Sequence, residues 1–390
     1  MRLTPFTLLC ATGLLAVFSS TISKSPVLPL YASHLGAGPS GVGFVAAISA
    51  FTGVVFSIPA GLLADRFGKR GMLLASALVF AAVPFLYLPV TSIIQLAAVR
   101  FIHGFATAIF IPVAMALVSD LFHADRGEKM GWFSTATLTG RFMAPVAGGA
   151  IISAAALDPV SGFKTVYLVC GAAGVCALLL SLRLPDTGSH SANRSWTETF
   201  STFRAIASDR RIVVTSAVEA AILFAYGTFE TFLPLHAKSA GISPYRIGAL
   251  LSAQIITLAL SKPLMGGFSD RHGRRPQIFF GALIGASCIG LFSAFDSFAM
   301  MLAMSVAFGF SISVVTSATS AHIADISRRE GRGSAMGILG SVMDIGHTAG
   351  PLVAGFVAAW RGYPEAFLAA SAVLVIAGAV FAGLVGIRKE

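Results

Sequence analysis

Twelve mostly apolar stretches, each long enough to cross a bilayer, follow one another along this 390-residue chain with short polar connections. They lie near 5–34, 40–64, 72–89, 92–120, 129–155, 164–183, 209–238, 244–268, 277–295, 298–323, 334–358 and 364–387. A hydrocarbon core takes about 20 apolar residues of helix to cross. Backbone in lipid must satisfy its own hydrogen bonds, which leaves helices and closed barrels. A barrel would show short segments of alternating polarity, and none is present. Charged residues are 11% of the chain, against about 25% in a soluble protein. Such a chain cannot cover a water-facing surface, so a soluble enzyme and a disordered chain are excluded. The first stretch follows Arg2 as a signal peptide would, but no A-x-A-type cleavage site ends it and it runs on past Pro29, so it reads as a helix.

The net charge of +10 is explained by where it sits. With both termini placed in the cytoplasm, nineteen Lys and Arg fall in cytoplasmic segments and four, Lys164, Lys238, Arg246 and Arg361, fall outside. That bias is the positive-inside pattern, and it removes the case for a nucleic-acid partner. The remaining four, Lys24, Arg100, Arg141 and Lys262, lie within spans. Cys10, Cys170, Cys176 and Cys288 sit inside apolar runs at no metal or disulfide spacing, so no metal or other cofactor is expected.

A polar stretch at 184–208 divides the chain into six spans (1–183) and six more (209–390), and the halves repeat. Leu28-Pro29-Leu30 matches Leu233-Pro234-Leu235; Gly36, Pro39 and Gly43 match Gly241, Pro244 and Gly248; Gly61 and Asp65-Arg66 match Gly266 and Asp270-Arg271; Asp120 matches Asp325. All are 205 residues apart, while Gly140 and Pro145 match Gly346 and Pro351 at 206. Two homologous six-helix halves are a transporter signature, with the binding site expected between them. The fold class is therefore an all-α integral membrane protein of two six-helix bundles related by a pseudo-two-fold axis.

The loop Gly61-Leu-Leu-Ala-Asp65-Arg66-Phe-Gly68-Lys69-Arg70, with its degenerate copy from Gly266 to Arg275, resembles the signature loop of the major facilitator superfamily. Leu96-x-x-x-Arg100-x-x-x-Gly104 resembles that superfamily's R-x-x-x-G motif, and Gly140-Arg-Phe-Met-Ala144-Pro145-Val-Ala-Gly148-Gly149 its antiporter motif, with Ala144 in place of Gly. The combination is similar to the twelve-helix drug:proton antiporter branch. That resemblance implies a secondary transporter of a bacterial inner membrane, a monomer exchanging small amphipathic molecules for protons. An exporter or symporter of a sugar, organic acid or other metabolite is the alternative. It also implies that the loop residues Gly61, Asp65, Arg66, Gly68, Arg70, Asp270 and Arg271 gate the cytoplasmic side, with the loop arginines meeting Asp120. The chemistry-free reading of the antiporter motif is a kinkable helix with a small-residue packing face.

Ionisable groups at membrane depth are costly and are functional candidates by default. Glu219, Glu230 and Asp344 are the intramembrane acids, and with Arg100 they are the proton-coupling candidates. Glu219 and Glu230, eleven apart, share a helix face, as do Asp344 and His347. The structural alternatives are a pair of Glu230 with Lys24 or a place for it near the outer interface, and a pair of Asp344 with Arg141 or His347. Lys24, Arg141, His347, Tyr226 and Gln254 are candidates to line the substrate cavity, and Phe18, Phe101, Phe224, Phe229 and Phe232 to line an apolar pocket. Rival classes have little behind them. Gly36-Ala-Gly38-Pro-Ser-Gly41 matches a dinucleotide fingerprint without a preceding strand, and Gly68-Lys69-Arg70 lacks the Ser/Thr of a phosphate loop, so neither an enzyme nor an ATP-driven pump is expected.

Overall fold

The computed structural model describes residues 4–122, 125–185, 209–327 and 332–386, with the side chains at 57–67, 332–335 and 337–338 excepted. Those residues form helices α1 (Pro5–Ile22), α2 (Val27–His34), α3 (Pro39–Phe67), α4 (Lys69–Leu86), α5 (Ile93–Leu121), α6 (Arg126–Ala154), α7 (Pro159–Ser181), α8 (Arg210–Ser239), α9 (Pro244–His272), α10 (Arg274–Phe292), α11 (Phe298–Ile326), α12 (Arg332–Arg361) and α13 (Tyr363–Leu384). Helices α1 and α2 make one apolar span broken at residues 23–26, where Pro26 removes a backbone donor.

Among the described residues, eleven helical segments are long and apolar enough to cross a membrane. The expected twelfth, at 129–155, forms α6 but is not among them. Its length is ample. Its residues are the reason: Arg126, Glu128, Lys129 and Arg141 share it with a run of Ser, Thr and Gly, which lowers its apolar character below that of its neighbours.

Start signals are local and readable. Thr4, Ser92, Asp158, Asp209 and Ser297 each cap a helix by accepting a bond from a backbone N–H two or three residues on.

The chain forms two compact units: Met1–Ala37 with Ile48–Asn193 and Ser243–Ser252, and Gly38–Ala47 with Arg194–Ile242 and Ala253–Glu390. Within the first, α1 packs on α6 and α7, and α4 packs on α5 and α7. Within the second, α8 packs on α12 and α13, and α10 packs on α11 and α13. These are the same pairings carried to the repeat positions.

Glycines set the spacing. A Cβ at Gly140 would collide with the Leu14 carbonyl of α1, and a Cβ at its repeat mate Gly346 would collide with the Ala220 carbonyl of α8. Leu14 and Ala220 are themselves 206 residues apart. In lipid, where hydrocarbon competes equally for apolar faces, such close backbone approach is what holds helices together.

Candidate functional site

The two copies of the signature loop turn at Gly68 (φ 82°) and Gly273 (φ 98°), in the left-handed region where glycine alone is unstrained. Beyond each turn, the first helical residue reaches an acid 51 residues on. Lys69 Nζ pairs with Asp120, and Arg274 Nε donates to Asp325 at 3.0 Å. Arg274 also pairs with Asp270 and donates to Ser269 Oγ at 3.1 Å. Arg70 donates to the Leu182 carbonyl at 2.9 Å. Asp120 thus pairs with Lys69, the residue that opens α4. The side chains of Gly61, Asp65 and Arg66 lie outside the described residues, and Arg271 is exposed.

The antiporter-motif residues work as packing surface. Gly140, Ala144, Pro145, Gly148 and Gly149 are all buried. Gly148 faces Ile22 and Val27 at the α1–α2 break. Gly149 and Pro145 lie against the start of α9, in the first unit: a Cβ on Gly149 would meet the Pro244 carbonyl and one on Gly248 the Pro145 carbonyl. Tyr245 N donates to Ser153 Oγ at 2.9 Å and Ser252 Oγ to the Phe142 carbonyl at 2.6 Å along the same seam. Arg141, beside Gly140, is exposed.

In the second unit both glutamates of α8 are buried. Glu219 is 0% exposed and accepts a hydrogen bond from Thr319 Oγ1 of α11, while its Oε1 has no partner among the described residues. Thr319 Oγ1 also lies 2.9 Å from the Val315 carbonyl. A hydroxyl has one hydrogen and accepts as well. Facing a charged Glu219 it donates to the carboxylate; facing a protonated one it accepts from the acid and donates to Val315. Thr319 can satisfy either state by rotating.

Glu230 Oε2 lies 3.3 Å from His347 Nε2 of α12, and the His347 ring stacks on Tyr226 with centroids 5.4 Å apart. The partner that His347 shows here is Glu230. One turn of helix places Asp344 and His347 on one face, but the imidazole projects across to α8, where Gly227 leaves room for it. Asp344 is partly buried, and its carbonyl accepts from Thr348. Gln254 is fully buried with neither amide atom bonded among the described residues.

Arg100 of α5 is 2% exposed and donates to Ser23 Oγ at the α1–α2 break at 3.1 Å. Around it lie Tyr87, His103 and Tyr167, which the sequence reading did not single out. The spacing of Arg100 and His103, one turn apart on a single face, was a signal for one of them.

Phe229 and Phe232 are core, at 0% exposure, and do not line an open pocket; Phe101 is exposed. A groove of about 680 Å³ runs between α8, α12 and α13, lined by Val213, Ala217, Phe224, Ile345 and Val380 among others, with no ionisable side chain. Several of its walls are exposed apolar residues, which suits an acyl chain. Among the described residues no cluster of His, Cys, Asp and Glu is placed to hold a metal ion.

The family model described as Major Facilitator Superfamily matches residues 9–253 and 215–390. The chain belongs to the Major Facilitator Superfamily. Members are carriers, not catalysts, and this one is a multi-pass membrane transporter. It is 26% identical to an uncharacterized MFS-type transporter of Methanocaldococcus jannaschii over 97% of this chain and 95% of that one. It is 26% identical to the multidrug resistance protein MdtG of Enterobacter lignolyticus over 92% and 87%, and 24% identical to a multi-drug resistance efflux pump PmrA homolog of Lactococcus lactis over 93% and 91%. In fold it is similar to the nucleoside transporter NupG, with a TM-score of 0.80 at 16% identity over 99% of this chain and 100% of that one.

Proposed function

We propose that the chain is a proton-coupled exporter of small amphipathic, drug-like molecules. It works by alternating access between two six-helix bundles, 1–183 and 209–390, joined by a linker at 184–208. Both termini lie in the cytoplasm of a bacterial inner membrane, and the working unit is a monomer. The excess of Lys and Arg in the alternate loops supports that orientation, and the similarity to multidrug-resistance proteins supports the substrate class.

The observation that carries proton coupling is the pair of buried carboxylates on α8. A charged carboxylate in a dry helix bundle is costly, so it takes up a proton unless a partner compensates it. Thr319 serves both protonation states of Glu219 without moving backbone. Glu230 faces His347, a group that can share a proton with it. An antiporter needs this: an acid that holds a proton in one state of the cycle and releases it when helices shift. Asp344 is the third candidate. Lys69–Asp120 and Arg274–Asp325, made afresh in each half, are the contacts through which the cytoplasmic loops, with Asp65, would gate the cycle.

The test uses inside-out vesicles energised to a pH gradient. Adding a transported compound should dissipate part of the gradient in vesicles carrying the protein and not in vesicles carrying the Glu219→Gln, Glu230→Gln double variant. A panel of amphipathic cations, neutrals and anions that leaves the gradient untouched would reject the proposal.

A further inference from the structure

In the first unit, four buried polar atoms have no hydrogen-bond partner among the described residues: Arg100 Nε, His103 Nε2, the Tyr167 hydroxyl and Ser25 Oγ. Each residue is at most 2% exposed. His103 and Tyr167 meet at Tyr87, and Ser25 lies two residues beyond Ser23, the partner of Arg100. Arg100 donates to Ser23 Oγ at 3.1 Å. The Tyr87 hydroxyl lies 3.3 Å from His103 Nδ1, and its ring stacks on that of Tyr167, centroids 4.1 Å apart and 7° from parallel. A guanidinium only donates. The Tyr87 O–H can donate to His103 Nδ1, which places the histidine hydrogen on Nε2. All four unpartnered atoms then carry a hydrogen to donate, and no ion pair to Arg100 is present among the described residues.

The second unit is an internal control. At the positions 205 residues beyond Lys24, Tyr87, Arg100 and His103 stand Phe229, Phe292, Ser305 and Phe308. The three phenylalanines pack together, with Phe229 5.2 Å from Phe292 and 5.0 Å from Phe308, and Ser305 bonds back into its own helix. This place in a bundle folds with an apolar filling. A buried guanidinium without a counter-charge is costly, so folding alone gives no reason to keep it here.

We propose that Arg100, with Tyr167, His103 and Ser25 as donors, forms a binding site for a singly charged anionic group. One fixed positive charge matches one negative charge; a dianion would carry an uncompensated charge into a dry site. The α1–α2 break at residues 23–26 carries Ser23, which Arg100 meets, and Ser25, and interrupted helices are where transporter substrate sites form. The group is either a carboxylate on a transported molecule or a halide from solution. The first case rests on the transport reading above and narrows its substrates to organic acids.

The test is a thermal-melt titration of the purified full-length protein with 2-naphthoate, its uncharged amide and chloride, at constant ionic strength set with sulfate. A saturable rise in melting temperature with a monoanion, absent for the amide, is expected. Saturation by naphthoate assigns a substrate carboxylate; saturation by chloride, with naphthoate inert, assigns a halide. Arg100→Gln should abolish the response. Tyr167→Phe, which keeps the ring stack, should weaken it about tenfold, the effect of one hydrogen bond to a charged group, with the ligand-free melting temperature unchanged. No monoanion response, an equal response to the amide, or full affinity in Tyr167→Phe and Arg100→Gln would overturn the proposal. Binding is measured without a gradient, so failure of proton coupling in the vesicle assay and failure of this site are separate results.

Discussion

Replacing Gly346 with alanine is the sharpest test of how α8 and α12 are held. A Cβ at Gly346 would lie 2.8 Å from the Ala220 carbonyl carbon and 2.9 Å from its Cα, and closer still to the oxygen. Ordinary carbon contacts are about 3.5–4.0 Å, so the helices must part locally by about 1 Å. The Glu230–His347 contact of 3.3 Å spans that same helix pair from the adjacent residue, and a hydrogen bond is lost beyond about 3.5 Å. The shift exceeds what the contact tolerates several times over. Gly346→Ala should therefore destabilise by about 1–3 kcal/mol, the usual cost of overpacking, and should lose gradient-driven transport as well. Gly340→Ala on the same helix is the control. Nothing lies within 4 Å of a Cβ there, and alanine in a helix interior is favoured over glycine by about 0.5–1 kcal/mol. Thermal melting in detergent and transport in proteoliposomes read both effects. If Gly346→Ala matches Gly340→Ala in both assays, close backbone contact is not what sets the Glu230–His347 geometry.

Three further outcomes are expected. The Glu219→Gln, Glu230→Gln double variant should lose gradient-driven transport by more than tenfold while still exchanging labelled substrate without a gradient; full gradient-driven transport would move the proton path to Asp344. Asp120→Leu alone should destabilise by leaving Lys69 unpaired, and Lys69→Met should recover part of the loss, with a coupling of about 1 kcal/mol because the pair is partly exposed; a double-mutant cycle that sums to zero would show the pair contributes nothing. Asp65→Asn should reduce transport at normal expression, and undiminished transport would remove the gating role.

Much of the fold was legible because its signals are local. Hydropathy over windows of about 20 residues placed every long helix to within a few residues, and the repeat at 205 and 206 announced itself in glycines and prolines. It also foretold geometry: Gly68 and Gly273 both turn at positive φ, and Gly140 and Gly346 both abut the same carbonyl of their partner helices. The residues of the antiporter motif form a packing seam, which the physical reading of small residues on a helix face allowed.

By itself the sequence determined which stretches form long apolar helices and where each helix starts, since these follow from backbone desolvation, caps and a period of 3.6, but not which charges are buried: Arg141, read at membrane depth, is exposed, and Lys69, read in a loop, is buried. Tertiary structure alone decided which partner each buried charge has. His347 shares a face with Asp344 yet meets Glu230, Asp120 meets Lys69, and Arg100 sits among Ser23, Tyr87 and Tyr167, drawn from three other places in the chain. No spacing rule reaches across helices. The choice is made by which backbones approach, at glycines whose missing Cβ lets two helices touch, and by side chains long enough to cross from one helix to the next.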